Sequence, residues 1–341
     1  MPRKLTKAEL AERSINKKFR KEIWNNFIAA VKNYRLIEEN DRIAVCISGG
    51  KDSMMLAVLM RMLQRYSDVH FDLEYLVMNP GYNEKNLKKI KENAETLELP
   101  IHVFNTDIFS IADSASGSPC YLCARMRRGY LYSKAQEFGC NKIALGHHMS
   151  DVIETTLMGM MYGSQIQGML PRLKSTNFEG MELIRPLYCV LEEDIIRWAQ
   201  YNDLSFIACA CKLTERAAVD ENASKRREIK LLIKEIKKTN KHVENNIFNS
   251  IHRCNVDTLV GYKLNGEKHD FYWAPYKTAV SLKAKDNEIK VTLTNSCRNL
   301  FGPHYQAECD GYAVGPHSYG RETDTMHFVR LGIEGGIEIC Y

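Results

Sequence analysis

Residues 42–53 read RIAVCISGGKDS, a short apolar run that ends in a loop with two adjacent glycines. An apolar run of this length followed by Ser-Gly-Gly is typical of a buried parallel strand. The apolar positions from Met54 to Tyr66 then predict a helix. This stretch therefore predicts a strand, a tight loop and a helix in immediate succession.

The same alternation of strand and helix continues along the chain. Further strands are predicted at 71–78, 101–105 and 142–145. Helices are predicted at 84–97, 126–138, 151–162, 192–202 and 224–238. Alternation of this kind predicts an α/β fold with a doubly wound parallel sheet, in which ligands bind beyond the carboxyl ends of the strands.

The two ends of the chain differ from its middle. Residues 1–40 form a basic segment in which apolar residues recur every fourth position, and this spacing predicts one amphipathic helix over 14–35. Residues 41–256 carry the α/β pattern. Residues 257–341 contain short alternating or glycine-punctuated stretches without a helical period, so we expect a small β-rich or irregular appendage there.

Length and composition restrict the class of protein. A chain of 341 residues with 45% apolar content can bury a full core, and roughly 150 residues per domain suggest about two domains. No run approaches the roughly 20 apolar residues that span a bilayer, so we expect a cytoplasmic protein without a membrane segment. The eleven cysteines then favour metal binding or redox chemistry over stable disulfides.

The glycine loop predicts a phosphate site. Glycines let backbone N–H groups approach an anion, and the N-terminus of the following helix favours negative charge. Lys51 would add charge, and Asp52 would hold Mg²⁺ or an ordered donor. The loop lacks the Walker A spacing and resembles the PP-loop of N-type ATP pyrophosphatases, which implies ATP as the ligand. The residues predicted to bind its phosphates are Ser48, Gly49, Gly50, Lys51, Asp52 and Ser53.

A second group of polar residues follows the strand predicted at 142–145. Gly146, His147 and His148 come directly after it, and Asp151 lies on the ensuing helix. We expect these residues at the strand edge where ATP binds, with Asp151 positioning Mg²⁺ or ATP and a histidine contacting phosphate or ribose. Glu154 could equally brace the helix.

Two cysteine clusters have the spacing of a metal or redox site. Cys120 and Cys123 form a Cys-x-x-Cys pair before a basic stretch, and Cys209 and Cys211 lie about ninety residues further on. Three thiolates leave one position of a metal centre open, which suits an iron–sulfur cluster better than a closed zinc site. A redox disulfide or a persulfide carrier would use the same thiols.

Five ordered motifs give the chain a resemblance to the tRNA 2-thiocytidine synthetase family, from about Ile15 to Tyr262. In this sequence they are SGGKDS at 48–53, CYLCARMRRG at 120–129, GHHMSDVIET at 146–155, IRPL at 184–187 and ACAC at 208–211. The resemblance implies that Cys120, Cys123 and Cys209 hold a [4Fe-4S] cluster, with Cys211 as a rival third ligand because the last motif departs from the family's Pro-Cys-x-x-Cys.

The resemblance also implies an activity. ATP would adenylate the C2 oxygen of the cytidine at position 32 of a tRNA anticodon loop, releasing pyrophosphate, and sulfur would then displace AMP to give 2-thiocytidine. The residues expected to act in this chemistry are Asp52, Asp151 and Cys209. Expected partners are the tRNA anticodon stem-loop, a cysteine desulfurase or other sulfur donor, and a second copy of the chain in a homodimer.

Other functions fit parts of the pattern. The chain could thiolate a uridine or a small molecule through a cysteine persulfide, or it could be a non-catalytic iron–sulfur or zinc protein that binds RNA. The basic stretches in residues 1–35, 125–128 and 225–241 suit a polyanionic RNA, although charge alone equally describes solvated helix faces. With the family resemblance, we favour tRNA binding.

Overall fold

A computed structural model describes residues 3–108, 119–207, 221–255, 259, 261–264 and 267–270, with the backbone alone described at 119–124, 221–224 and beyond residue 260. The chain divides into two compact units, Met1–Asn255 and Val256–Tyr341. Within the described ranges, no helix is both long and apolar enough to cross a membrane.

The first unit is built on a six-stranded sheet with the order β3-β2-β1-β4-β6-β5. All neighbouring strands are parallel except β5, which pairs antiparallel with β6 at one edge. The order reverses between β1 and β4, so a crevice opens beyond the carboxyl ends of these two strands. The strands are β1 Asp41–Ile47, β2 Phe71–Asn79, β3 Ile101–Asn105, β4 Lys142–Ala144, β5 Arg172–Lys174 and β6 Glu182–Ile184.

Helices connect and cover these strands. Their bounds are α1 Lys7–Lys17, α2 Asn25–Asn33, α3 Lys51–Tyr66, α4 Glu84–Thr96, α5 Pro119–Glu137, α6 Met149–Gly163, α7 Glu192–Tyr201, α8 Glu221–Thr239 and α9 Val243–Ser250, with a π-helical turn at Arg20–Trp24. In the second unit the described residues form one antiparallel hairpin, β7 Gly261–Leu264 and β8 Glu267–Asp270.

Alternate side chains of β1 enter two different cores. Ile43 and Val45 pack with residues of α1, α3 and α7, whereas Ala44 and Cys46 pack on the opposite face with Tyr132 of α5. Because a strand points successive side chains to opposite faces, the sheet is covered by helices on both sides. The predicted doubly wound α/β sheet is therefore confirmed, and Cys46 is a buried core residue.

Two predicted helices differ from the structure, and two strands were not predicted. The single helix expected over 14–35 is interrupted, because Arg20–Trp24 adopts a π-helical turn between α1 and α2. Helix α5 begins at Pro119 instead of residue 126; proline suits a first helical turn, where its missing N–H is not needed. Strands β5 and β6 were not predicted, since three residues are too short to show a period of two. The alternating stretch at 288–293 lies outside the described residues.

Candidate active site at the carboxyl edge of the sheet

The loop after β1 has a backbone that only glycine accommodates well. Gly49 adopts a φ of +85°, and a Cβ atom there would lie 2.4 Å from Cγ1 of Ile90. Gly50 precedes α3 as its N-cap in an extended conformation. The first N–H groups of α3 consequently face the end of β1 without intrahelical partners, as an anion site requires.

Two serine hydroxyls close this loop. Ser53 Oγ accepts a hydrogen bond from the Ser48 amide at 3.1 Å and donates to the Gly50 carbonyl at 3.0 Å. The hydroxyls of Ser48 and Ser53 lie 3.2 Å apart. The loop is therefore preorganised in the absence of ligand, which lowers the entropy lost when an anion binds.

The two charged residues of the loop contact each other. Lys51 Nζ lies 3.0 Å from Asp52 Oδ2 and 2.8 Å from Oε1 of Glu192 on α7. Burial alone would lower the pKa of Lys51, but the carboxylates of Asp52 and Glu192 outweigh it and raise the pKa. The remaining oxygen of Asp52, Oδ1, is buried without a hydrogen-bond partner. Lys51 is thus a fixed cation at the loop, and Asp52 retains one free carboxylate oxygen.

The polar residues after β4 form the start of α6. His148 Nδ1 accepts a hydrogen bond from the Asp151 amide at 3.2 Å, and Asp151 Oδ2 accepts one from the His148 amide at 3.1 Å. This reciprocal pair is a capping box. Because Nδ1 is an acceptor, neutral His148 carries its proton on Nε2, which lies 3.7 Å from Asp52 Oδ1. The structure therefore brings the two predicted motifs together.

The two motifs approach closely because Gly146 has no side chain. A Cβ atom on Gly146 would lie 3.0 Å from the Ser53 amide nitrogen and 3.1 Å from the carbonyl carbon of Asp52. The chain leaving β4 therefore packs directly on the backbone of the loop that follows β1. Glycine is needed here for close approach, and its role at the predicted site is to position the loop.

His147 lies beside the capping box in a neutral state. Burial lowers the pKa of His147 to about 4, with a smaller contribution from the nearby cation of Arg185. Its Nδ1 atom is buried without a hydrogen-bond partner. A neutral imidazole suits a hydrogen bond to an uncharged group of a nucleotide better than charge pairing with phosphate.

An ion-pair network links this edge to α8. Arg226 Nη1 lies 3.1 Å from Asp151 Oδ1 and 3.6 Å from Glu154 Oε2, and Lys230 Nζ lies 3.6 Å from Glu154 Oε1 and 2.9 Å from Glu192 Oε2. Glu154 is buried, and burial raises its pKa to about 7 against the attraction of both cations. Glu154 therefore braces α6 against α8.

Three charged residues at this edge, Glu192, Arg226 and Lys230, were not predicted as site residues from the sequence. The sequence did indicate that Glu192 begins a helix, because acidic residues are favoured in the first helical turn and three of them start α7. The two cations of α8 were read only as part of a basic stretch. Much of that stretch is paired: Lys237 contacts Glu193 and Glu244, and Lys238 contacts Glu235.

The predicted cluster ligands are only partly located. Cys120 and Cys123 lie on α5, where residues three apart share one face, and their side chains are outside the described residues. Cys209 and Cys211 also lie outside them. Among the side chains that are described, no group of three or more His, Cys, Asp or Glu could hold a metal ion.

Ile207 is the last residue described before the second cysteine pair, and it lies against the glycines of the loop at 48–53. A Cβ atom on Gly49 would lie 2.8 Å from Cδ1 of Ile207, and one on Gly50 would lie 3.9 Å from the Ile207 carbonyl oxygen. Ile207 precedes Cys209 by two residues in the sequence.

Comparison with known proteins agrees with this geometry. The model of the PP-loop domain family matches residues 15–217. A tRNA-cytidine(32) 2-sulfurtransferase from Paraburkholderia phymatum is 35% identical over 266 residues, which cover 76% of this chain and 76% of that protein. The enzyme of the same name from Vibrio parahaemolyticus is 33% identical over 309 residues, covering 88% of this chain and 98% of the relative.

A solved structure shares the fold. The U34-tRNA thiolase NcsA from Methanococcus maripaludis, determined with its [4Fe-4S] cluster, gives a TM-score of 0.54 at 19% identity, over 67% of this chain and 77% of that chain. Three findings lead to one assignment. The glycine loop at 48–53 lies at the switch point of a doubly wound sheet, the PP-loop domain model matches the chain, and the chain covers most of the length of its relatives. The chain is an enzyme of tRNA thiolation and belongs to the tRNA-cytidine(32) 2-sulfurtransferase family of PP-loop proteins.

Proposed function

We propose that the chain converts the cytidine at position 32 of a tRNA anticodon loop to 2-thiocytidine, using ATP to activate the base. The observation that carries this proposal is the contact between the loop after β1 and the motif after β4, where Gly146 packs on the Asp52–Ser53 backbone. This contact places a phosphate loop, a charged lysine and a carboxylate around one crevice. The names of the relatives supply the base and its position.

The first proposed step is adenylation of the base. The C2 oxygen of cytidine attacks the α-phosphorus of ATP, and the bond from that phosphorus to pyrophosphate breaks. The amides at the start of α3 and the Lys51 ammonium stabilise the negative charge that develops on the departing pyrophosphate. In the second step a sulfide equivalent attacks C2, the C2–O bond breaks, and AMP leaves with that oxygen.

Mg²⁺ fits the carboxylates at this site. Asp52 has a buried oxygen without a partner at the phosphate loop, and hard divalent cations prefer carboxylate and phosphate oxygens. We assign Asp52 as the main protein ligand. Asp151 is a second ligand only if its Oδ1 atom leaves Arg226. The ion would neutralise charge on the triphosphate.

The cysteines fit a [4Fe-4S] cluster by the chemistry of their donor set. Cys120 and Cys123 share one face of α5, and a third thiolate from Cys209, with Cys211 as its rival, leaves one iron without a protein ligand. The cluster would supply that iron as a binding site for sulfur. Ile207 contacts the glycines of the phosphate loop, which supports Cys209 as the cysteine that acts beside ATP.

We further propose that the RNA is the anticodon stem-loop and that Arg125, Arg127 and Arg128 contact it. Among the residues whose side chains are described, these three arginines have no acidic partner, unlike most cations of α8. A cysteine desulfurase or another donor would supply sulfur to an enzyme that acts in the cytoplasm, as a homodimer. Residues 1–40 and 257–341 would be accessory segments around the domain at 41–256.

Nucleoside analysis of a deletion strain tests the base and the function together. We expect 2-thiocytidine to disappear from bulk tRNA, to return with the wild-type gene, and to remain absent with Asp52→Asn. The thiouridines should stay at their wild-type levels. A strain that keeps 2-thiocytidine, or loses a thiouridine instead, would contradict the proposal.

Spectroscopy of the anaerobically reconstituted protein tests the cluster. We expect iron–sulfur absorption in the wild type and in Cys211→Ala, and its loss in Cys209→Ala. Absorption retained in Cys209→Ala and lost in Cys211→Ala would exchange the two assignments. Wild-type protein without iron would contradict the cluster altogether, and a persulfide carrier would then replace it.

A further inference from the structure

Arg185 lies at the same edge of the sheet as the phosphate loop. It directly follows β6, whose last residue Ile184 pairs with Ala144 of the parallel strand β4. The Leu145 amide donates to the Ile184 carbonyl at 3.0 Å, so the pairing continues one residue past β4. Arg185 and His147 therefore leave neighbouring strands side by side, at the edge where ligands bind in this class of sheet.

The guanidinium of Arg185 is partly buried and forms no direct ion pair within the described ranges. One Nη atom donates to the Leu170 carbonyl, and the Nε atom is buried without a hydrogen-bond partner. No carboxylate within the described ranges forms an ion pair with it. Partial burial of a cation without an anion costs free energy, because the lost hydration is not replaced.

Two other arginines of the first unit with buried or partly buried side chains, Arg61 and Arg172, are paired. Arg61 contacts Glu12 at 2.6 Å, and Arg172 contacts Glu38 at 2.9 Å and Glu182 at 2.7 Å. At these two positions the fold supplies a carboxylate to a structural arginine, which it does not do at Arg185. An unpaired arginine at the ligand-binding edge indicates that an anion from outside the chain completes its environment.

The charges around Arg185 favour such an anion. Burial lowers the pKa of Arg185 to about 10, which leaves it protonated at neutral pH. Tyr132, Tyr188 and the carboxylate of Asp151 oppose this shift, while the like charge of Arg128 on α5 adds to it. Arg128 is exposed and also lacks an acidic partner within the described ranges. Asp151 is itself paired with Arg226, so Arg185 and Arg128 are two cations without ion pairs of their own that can bind a phosphate group.

We propose that Arg185 binds a phosphate group of a substrate, from the RNA backbone or from ATP, with Arg128 as the second cation. The planar guanidinium matches the oxygens of a phosphate better than the point charge of lysine does. This inference rests on the proposed function, because it takes RNA and ATP as the two substrates. Arg185 would thereby fix the position of the RNA or the nucleotide between α5 and the ATP site.

The test compares Arg185→Gln and Arg185→Lys with wild type and with Arg42→Gln. Arg42 lies on β1 and pairs with Glu74, so its replacement removes one equal charge outside the proposed site. Binding of a labelled anticodon stem-loop RNA is measured by fluorescence anisotropy over a series of salt concentrations. Binding of a non-hydrolysable ATP analogue is measured by calorimetry, and melting temperatures report folding.

We expect Arg185→Gln to weaken one of the two ligands by about tenfold, with Arg42→Gln close to wild type. If the phosphate belongs to RNA, the slope of log affinity against log salt falls by about 1. If it belongs to ATP, only the analogue binds more weakly. Arg185→Lys should keep the melting temperature of wild type and most of the salt slope, but it should bind the ligand more weakly. This variant tests the proposal even if Arg185→Gln fails to fold.

Two results would overturn this inference, and they are distinguishable. Folded Arg185→Gln and Arg185→Lys proteins that bind both ligands as wild type does would contradict the phosphate role of Arg185 alone. Wild-type protein that binds neither ligand would contradict the proposed function and this inference with it.

Discussion

The carboxylate of Glu192 joins the phosphate loop to α8: Lys51 Nζ lies 2.8 Å from one of its oxygens, and Lys230 Nζ lies 2.9 Å from the other. Helix α8 follows the stretch that contains Cys209 and Cys211 in the sequence. Phosphates that bind at the loop would compete with Glu192 for Lys51. Binding of ATP is therefore expected to alter the contact that fixes α8.

Replacement of Lys51 tests its role in charge stabilisation. We expect Lys51→Ala to lower the rate of RNA-dependent pyrophosphate release at saturating ATP by about 100-fold or more, because a preorganised cation is lost where charge develops. Lys88→Ala is the matched control, since Lys88 is exposed on α4 and its nearest carboxylate oxygen is 3.9 Å away. Comparable activity in the two variants would show that Lys51 does not act on the phosphates.

The bridge formed by Glu192 makes stability depend on pH. Burial alone would raise the pKa of Glu192, but the hydrogen bonds from Lys51 and Lys230 outweigh it and lower the pKa to about 2. Because the folded-state pKa is lower than the ordinary value of 4.5, ionised Glu192 stabilises the fold at pH values above 4.5. This contribution is lost as the pH falls from about 4.5 to about 2.

We therefore expect Glu192→Gln to lower the free energy of unfolding by about 2 kcal/mol at pH 7. The difference from wild type should shrink as the pH falls below 4.5, as measured by urea denaturation at a series of pH values. A difference that is equally large at pH 7 and pH 3 would show that the bridge is not responsible.

Glu154 should have the opposite dependence on pH. Its raised pKa, about 7, means that the folded protein holds a proton that the unfolded chain releases near the ordinary value of 4.5. Stability contributed by the protonated group is present below 4.5 and declines as pH rises through about 7. Glu154→Gln keeps the uncharged shape, so we expect its melting temperature to rise relative to wild type between pH 5 and pH 8. A relative fall would show that the ion pairs of Glu154 outweigh its burial.

Gly146 is predicted to position the loop. In Gly146→Ala the new methyl group would lie 3.0 Å from the Ser53 amide, so the loop backbone must shift. We expect ATP affinity to fall by about tenfold or more while the melting temperature changes little. The control is Gly163→Ala at the end of α6, where the nearest atom to the added Cβ is a flexible side-chain atom 3.6 Å away. Equal affinities in the two variants would contradict the contact between the two motifs.

Local features were readable from the sequence, and distant contacts were not. The strand, the loop at Ser48–Ser53 and helix α3 follow from an apolar run, two glycines and a helical period in one stretch. No periodicity could show that Lys142 is buried in β4, because its partner Asp41 is 101 residues away in the chain. Glu192 was missed for the same reason, and Arg185 was noted only as part of the motif at 184–187 without a role, since tertiary packing alone brings both to the carboxyl edge of the sheet.

We propose that this chain uses ATP to replace the oxygen of a tRNA cytidine with sulfur. The most direct measurement is mass analysis of nucleosides from tRNA incubated anaerobically with the reconstituted protein, sulfide and Mg²⁺, with and without ATP. We expect 2-thiocytidine only when ATP is present, and none with Lys51→Ala or Asp52→Asn. Formation of 2-thiocytidine without ATP, or of 2-thiouridine in its place, would contradict it.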